Sequence, residues 1–181
     1  MHTRFARKRV KPGQIIIGAD SHTCSAGGMG AFAAGLGAGD VVMPLVTGQT
    51  WFKVPEVCFI EFIGDPHFGM GDKDVILYIL GELKRNTVAF ERAVYYGGPG
   101  LQYLSDDARF AIANMTTEFG NIAGVFQADA ITQRVLDARD THVDEALFFA
   151  PDPGCHYAAH HVIDLGRVTP LIALYPSAIV E

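Results

Sequence analysis

The feature that most limits the possible folds is a glycine- and alanine-rich stretch over residues 18–56, which follows three consecutive isoleucines at 15–17. The isoleucines indicate a short buried strand. Asp20, Ser21 and His22 come directly after it, so the end of the strand presents a carboxylate, a hydroxyl and an imidazole side by side. Glycine is favoured where another backbone or a ligand approaches closely. The stretch therefore predicts a strand, a polar turn that faces a ligand, and a tightly packed segment behind it.

Apolar periodicity along the rest of the chain predicts alternating strands and helices. The basic residues 1–11 are interpreted as a solvated lead-in to the first strand. We expect helices over residues 29–46, 75–83, 105–115 and 130–140, and strands over residues 53–63, 88–96, 124–126, 162–165 and 171–174. This alternation predicts an α/β fold with a mixed or parallel sheet flanked by helices. The glycine-rich part gives way to an ordinary α/β pattern near residues 50–65, which predicts one domain over 1–60 and a second over 61–181.

Composition excludes several classes of protein. The chain has 181 residues, of which 49% are hydrophobic and 19% charged, so it can bury a sizeable core. Its net charge of −6 argues against a nucleic-acid-binding surface. No apolar run approaches the roughly 20 residues that span a bilayer. The three cysteines, Cys24, Cys58 and Cys155, are spaced too widely for a disulfide framework or a local cluster-binding motif. We expect a reducing compartment, the cytoplasm, or the mitochondrion if the source is eukaryotic.

The first candidate site is the run Asp20-Ser21-His22. A carboxylate beside an imidazole can fix the tautomer of the ring and raise its basicity, and the serine can donate to a substrate carboxylate. The alternative is structural: Ser21 and Thr23 cap a helix, and Asp20 interacts favourably with its positive end. The residues alone leave both interpretations open.

The second candidate site is Asn114 with Glu118, which are four residues apart and so share one face of an α-helix. Glu118 could act as a base while Asn114 orients a carboxylate or a water. An ordinary exposed helix pair is the alternative. A third cluster, His156, His160 and His161, has the spacing of a zinc pair on a helix, but it lacks an acidic residue between the histidines and is interpreted as surface histidines.

Motifs spread over nearly the whole chain share their order with those of one enzyme family. They are Gly18-Ala19-Asp20-Ser21-His22-Thr23, the glycine-rich residues 27–37, residues 46–49 leading into Trp51-Phe52-Lys53-Val54-Pro55-Glu56, residues 71–77, Arg109 with Asn114-Met115 and Glu118, and residues 164–170. In these motifs the chain resembles the aconitase and isopropylmalate dehydratase family. The resemblance implies a hydro-lyase that moves water across a carbon–carbon bond of a small hydroxy acid.

The resemblance also implies a [4Fe-4S] cluster, whose open iron acts as a Lewis acid. By this likeness Asp20, His22 and Glu118 are catalytic residues near the open iron and its bound water. Ser21 and Asn114 are implied to bind the substrate. The family's cluster ligands, one cysteine and a later Cys-x-x-Cys pair, have no match here, and neither do its substrate-binding arginines and serine base.

We therefore expect that the cluster belongs to a parent enzyme and that this chain alone neither binds it nor catalyses the reaction. The expected partners are a small hydroxy-acid substrate, a small dehydratase subunit or swivel domain, and the missing cluster-binding segment, with no nucleic acid and no membrane. The tryptophan motif at 51–56 and the helix with Asn114 favour the 3-isopropylmalate dehydratase or homoaconitase type, and hence leucine or related amino-acid biosynthesis. The alternative is a cluster-free, aconitase-like domain with a binding, regulatory or assembly role.

Overall fold

The computed structural model describes residues 2–84, 88–139 and 146–174, which form five α-helices and six β-strands. In chain order these elements are α1 His2–Arg9, β1 Ile15–Gly18, β2 Phe32–Gly35, α2 Ala38–Thr47, β3 Val57–Ile63, α3 Asp72–Leu83, β4 Ala93–Gly97, α4 Asp106–Met115, β5 Ala123–Phe126, α5 Ala130–Asp137 and β6 Ala159–Asp164. Short 3₁₀ segments at Ser21–Met29, Pro99–Tyr103, Thr116–Phe119 and Leu165–Arg167 connect some of them.

The strands form two sheets in which every pairing is parallel. Strands β1 and β2 make a two-stranded sheet, and the other four make a sheet in the order β5-β4-β3-β6. The chain passes through α3 between β3 and β4, and through α4 between β4 and β5. The predicted α/β class with a parallel sheet flanked by helices is thus confirmed.

The main core lies between one face of the four-stranded sheet and helices α3 and α4. Strand β3 alternates between buried and half-buried positions, as expected for a strand covered on one side. Its Ile60 and Phe62 pack with Ile76 of α3 and Ile112 of α4. Tyr96 of β4 is fully buried in this core, and its hydroxyl lies 2.9 Å from Oγ1 of Thr116. The opposite face of the sheet carries half-buried aromatic rings.

A second, smaller core joins the two sheets through the 3₁₀ segment 21–29. Ala6 of α1, Met29, Ala33 of β2 and Phe110 of α4 are buried together in it. The backbone of this segment approaches β5 so closely that a Cβ added at Gly27 would collide with the carbonyl oxygen of Gly124. The glycine-rich sequence thus allows backbone to lie directly on backbone.

Three elements near the amino terminus differ from the sequence-based expectation. Residues 2–9 form α1, with Ala6 fully buried, so the prediction of a solvated lead-in was wrong. The predicted strand at 15–17 is confirmed, but Ile15 is 67% exposed and the strand is not fully buried. The predicted helix over 29–46 is wrong in its first half, which forms β2, and α2 contains no buried residue.

Later elements follow the predictions more closely. Helices α3, α4 and α5 and strands β3 and β5 are confirmed with shifted ends. The strand expected over 88–96 begins at Ala93, because residues 88–92 form turns, and residues 171–174 form no strand. His160 and His161 lie on strand β6 and not on a helix, so they do not have the spacing of a helical zinc pair. His156 and His160 are exposed, in agreement with the interpretation as surface histidines. Residue 140, the last of the helix predicted over 130–140, lies outside the described residues. The division into domains 1–60 and 61–181 stays a prediction. Among the described helices, none is long and apolar enough to cross a membrane.

Candidate functional site

Asp20 lies just past the carboxyl end of β1 and begins the 3₁₀ segment as its N-cap. Its Oδ1 accepts a hydrogen bond of 2.7 Å from the backbone N–H of His22. This hydrogen bond lowers the pKa of Asp20, so the carboxylate is held in its charged form. The sequence allowed Ser21 and Thr23 as caps, whereas in the structure Asp20 itself is the cap. Its side chain is still 57% exposed. Capping and ligand contact are therefore compatible at this residue.

His22 presents its ring beside two oxygen-bearing side chains. Nδ1 lies 3.4 Å from Oδ1 of Asp20 and 3.3 Å from Oγ of Ser21. The imidazole is 41% exposed and Ser21 is exposed, so all three groups are open to a ligand. A carboxylate near one ring nitrogen can orient the ring and fix the tautomer that donates toward it. The arrangement can hold and transfer a proton at His22 while the Ser21 hydroxyl donates to an anionic group.

Asn114 is joined to this turn through the buried side chain of Ser25. The amide Nδ2 of Asn114 donates to Oγ of Ser25 at 2.8 Å, and that hydroxyl donates to the carbonyl oxygen of His22 at 2.7 Å. The Cys24 thiol lies 3.4 Å from the carbonyl oxygens of both Ser21 and Asn114. The end of α4 and the Asp20–His22 turn are therefore connected by a continuous set of polar contacts.

Glu118 does not share a helix with Asn114. Helix α4 ends at Met115, and Glu118 lies on the next 3₁₀ segment, so the assumption of one α-helical face was wrong. The side chain is exposed and makes no hydrogen bond or ion pair with any residue in the described ranges. The structure thus joins four of the five predicted residues, Asp20, Ser21, His22 and Asn114, whereas Glu118 makes no hydrogen bond or ion pair with them.

His2 is a residue of the site that sequence reasoning missed. Its Nε2 lies 3.4 Å from Oδ1 of Asp20, and its ring centroid lies 6.5 Å from that of His22. Asp20 therefore stands between two imidazoles. In the sequence, His2 is a histidine within a basic run, a pattern that indicated a solvated segment. The contact between His2 and Asp20 forms because α1 packs against the 3₁₀ segment.

The cysteines do not form a ligand set for an iron–sulfur cluster. Cys24 and Cys58 are buried and Cys155 is exposed. Burial raises the pKa of Cys24 to about 11 and raises that of Cys58. A cluster is held by several thiolates that lie close together, and burial alone does not prevent a thiol from losing its proton to a metal. In the part of the chain that the structure describes, no three His, Cys, Asp or Glu side chains are grouped to hold a metal ion.

Comparison with known proteins gives a match over almost the whole chain. A family model described as the aconitase family (aconitate hydratase) matches residues 2–178. The chain is 51% identical over 179 residues to "Aconitase htyD" of Aspergillus rugulosus, an alignment that covers 98% of this chain and 20% of that protein. It is 50% identical over 179 residues to "3-isopropylmalate dehydratase large subunit gloJ" of Glarea lozoyensis, with 98% of this chain and 20% of that protein covered.

A bacterial relative is similar over a comparable stretch. The "3-isopropylmalate dehydratase large subunit" of Nitratidesulfovibrio vulgaris is 41% identical over 164 residues, which cover 91% of this chain and 38% of that protein. The chain thus spans about a fifth of the length of the two fungal proteins and under two fifths of the bacterial one.

Proposed function

The chain belongs to the aconitase family, and on that premise we propose that it supplies proton-transfer and substrate-binding residues to a [4Fe-4S] hydro-lyase. The reaction proposed is the dehydration and rehydration of a small 2-hydroxy di- or tricarboxylic acid. Relatives named as large subunits of 3-isopropylmalate dehydratase, fungal and bacterial, support the 3-isopropylmalate dehydratase or homoaconitase type. Biosynthesis of leucine or a related compound, in the cytoplasm, is the setting proposed for this activity.

The observation that carries the proposal is the cluster of Asp20, Ser21 and His22 at the carboxyl end of β1. Ligands of open parallel sheets bind beyond the carboxyl ends of the strands. Asp20 stays charged and lies 3.4 Å from the His22 ring, so it stabilises the imidazolium that forms when His22 takes a proton. In this role His22 holds the proton and Asp20 keeps the ring in place.

Substrate binding is assigned to Ser21 and Asn114. Ser21 is exposed, and its hydroxyl can donate to a carboxylate of the acid. Asn114 uses Nδ2 to hold Ser25, which in turn holds the backbone of His22, so its contribution in the described state is to position that turn. Glu118 is proposed as a further acid–base group on the strength of the family resemblance, and its exposed carboxylate is free to meet a ligand.

The cluster itself is assigned to other parts of the longer enzyme. The residues described here do not fit the role of cluster ligands, because no three His, Cys, Asp or Glu side chains are grouped among them. No step of the reaction is therefore derived through the cluster. The proposed partners are the cluster-binding segment and the small subunit or swivel domain, which relatives named as large subunits imply.

A reconstitution experiment tests the proposal. The 181-residue chain is combined with a polypeptide covering the remainder of the Aspergillus rugulosus relative, under reducing conditions with iron and sulfide. Hydratase activity is then assayed on 3-isopropylmalate, citrate and homocitrate. We expect activity with at least one acid, and a loss of about 100-fold or more for Asp20→Asn or His22→Gln, because general acid–base groups contribute about that much.

The matched control is Arg4→Gln, which changes an exposed α1 residue that makes no described contact with the turn. It should retain full activity. Activity that survives both site substitutions would contradict the assigned roles. A mixture that incorporates the cluster but dehydrates none of the acids would support the alternative, in which this chain is a cluster-free domain with a binding, regulatory or assembly role.

A further inference from the structure

A cleft lined by basic side chains lies at the carboxyl end of α1, between that helix, α5 and the segment that leads into α4. Its volume is about 840 Å³. The basic residues that line it are Arg7, Lys8 and Arg9 of α1, Arg134 of α5, and Arg139. The net charge of the whole chain is −6, so this concentration of positive charge is local and contrary to the overall balance.

Most of this charge is not neutralised by the protein. Arg7 is paired with Asp106, the acidic residue among those that line the cleft, and with Asp107, both in the first turn of α4. Lys8, Arg9 and Arg134 are exposed, and none of their side chains forms an ion pair or hydrogen bond with a residue in the described ranges. These three cations therefore face the cleft with their donors available.

Arg139 adds a fourth cation that is half-buried and has no acidic partner in the described ranges. Its Nη2 donates to the carbonyl oxygens of Ala6 and Val10 at the end of α1, and its Nε is buried without a hydrogen-bond partner. Burial lowers the pKa of this guanidinium, since no neighbouring carboxylate offsets its desolvation. An anion in the cleft would offset the desolvation of the Arg139 guanidinium.

From these observations we propose that the cleft binds a small multivalent oxyanion, with phosphate or carboxylate groups. Guanidinium groups donate in forked pairs to such groups. The volume falls within the range of small-molecule sites, roughly 300–1,000 Å³. A concave site in a protein of net negative charge favours a metabolite over a nucleic acid, which would need an extended basic face.

The inferred anion site is separate from the Asp20–His22 turn and goes beyond the proposed function. His2 and Arg9 lie at opposite ends of α1, about 10 Å apart along a helix that rises 1.5 Å per residue. An anion that holds the carboxyl end of α1 is therefore attached to the same short helix that places His2 beside Asp20. This arrangement suits a regulatory or second binding site better than part of the reaction centre.

Isothermal titration calorimetry on the 181-residue chain tests this inference, with pyrophosphate and citrate as probes. We expect saturable 1:1 binding of at least one probe, weakened by added salt because the contact is electrostatic. Arg9→Gln and Arg134→Gln should each weaken binding about tenfold, and the double substitution more. A preference for pyrophosphate identifies a phosphate site, and a preference for citrate identifies a carboxylate site.

Two control variants test whether binding depends on the residues that line the cleft. Arg4→Gln removes the same charge from the same helix, outside the cleft lining, and should leave the affinity within about twofold of the parent chain. Asp20→Asn alters the proposed reaction site and should also leave it unchanged, so failure of one proposal is distinguishable from failure of the other. The inference is overturned if neither probe binds, or if Arg4→Gln weakens binding as much as Arg9→Gln.

Discussion

At the scale of single residues, Arg109 shows how a charged side chain can be held inside this protein. It is 1% exposed, and its guanidinium donates to both carboxylate oxygens of Asp129 at 2.8 and 2.7 Å. It also donates to the carbonyl oxygens of Leu101 and Leu104. Although burial opposes the charge of Asp129, its hydrogen bonds and ion pair with Arg109 lower the pKa of the carboxyl below its ordinary value.

Removal of Arg109 leaves the Asp129 carboxylate, which is 29% exposed, without its charge partner. We expect Arg109→Leu to lower the free energy of unfolding at pH 7 by about 3–5 kcal/mol, the range found for broken buried pairs, as measured by urea denaturation followed by circular dichroism.

The pH dependence of the difference in unfolding free energy between the parent chain and Arg109→Leu tests the role of the ion pair separately. Because the folded-state pKa of Asp129 is depressed, the stabilisation is present above the unfolded value of about 3.9 and is lost as the pH falls through the folded value. The difference between the parent chain and Arg109→Leu should therefore narrow on acidification, over the range in which both remain folded. A constant difference would show that the ion pair is not its cause.

The cysteines give a prediction about reactivity. Cys155 is exposed, whereas Cys24 and Cys58 are buried and burial raises the pKa of both thiols. Since the thiolate is the reactive form, a disulfide reagent at pH 8 should label one thiol rapidly in the native chain and all three after denaturation. Cys155→Ser should abolish the rapid phase, and rapid labelling of two or more thiols in the native chain would contradict the burial described here.

At the scale of elements, close backbone contact between the 3₁₀ segment and β5 depends on glycine. Gly27→Ala places a Cβ against the carbonyl of Gly124, and neither backbone can move without disturbing its own element. We expect a loss of about 3 kcal/mol in unfolding free energy, at the upper end for overpacking. Thermal denaturation of the purified variant measures it.

Gly39 provides the matched control for that substitution. It lies in α2 with nothing within 4 Å of an added Cβ, so Gly39→Ala should stabilise the chain slightly, by roughly 0.5–1 kcal/mol, through the higher helix propensity of alanine. Equal effects of the two substitutions would show that close contact at Gly27 is unimportant.

The sequence predicted correctly those elements whose ends are marked by capping residues or whose apolar pattern is regular. Ser105 caps α4 by accepting a hydrogen bond from the N–H of Ala108, and two aspartates follow Ser105. The start of this helix could therefore be predicted from the sequence. Strand β2 was missed because alanine and glycine have low strand propensity, and it forms by pairing with β1. The Asp20–His22 run was visible as neighbours in sequence. Its links to His2 and Asn114 were not, since they depend on how α1 and α4 pack.

At the scale of the whole molecule, apolar side chains cluster on the outside in one stretch. Leu45 and Val46 of α2 are each 79% exposed, and Trp51 and Val54 in the following segment are 86% and 87% exposed. Trp51 is the single tryptophan of the chain. Single exposed apolar side chains are common on protein surfaces, but these four are concentrated in one short stretch of sequence.

The fluorescence of Trp51 tests this exposure directly. We expect an emission maximum close to that of free tryptophan and strong quenching by acrylamide, with little further red shift on unfolding in urea. Circular dichroism recorded in parallel shows whether the chain is folded under the same conditions. A blue-shifted native emission that moves to the red on unfolding would mean that the indole is covered.

Helix α2 buries none of its side chains and contains Pro44, which removes one backbone hydrogen-bond donor. Little tertiary packing opposes its opening. In a hydrogen–deuterium exchange experiment its amides should therefore exchange by local fluctuation, long before those of α4, whose inner face holds both cores together. Helix α2 follows β2, whose Gly35 lies against the backbone of Asp20 and Ser21. A protease that samples transiently open backbone in α2 would therefore cut a few residues after the strand that packs against that turn.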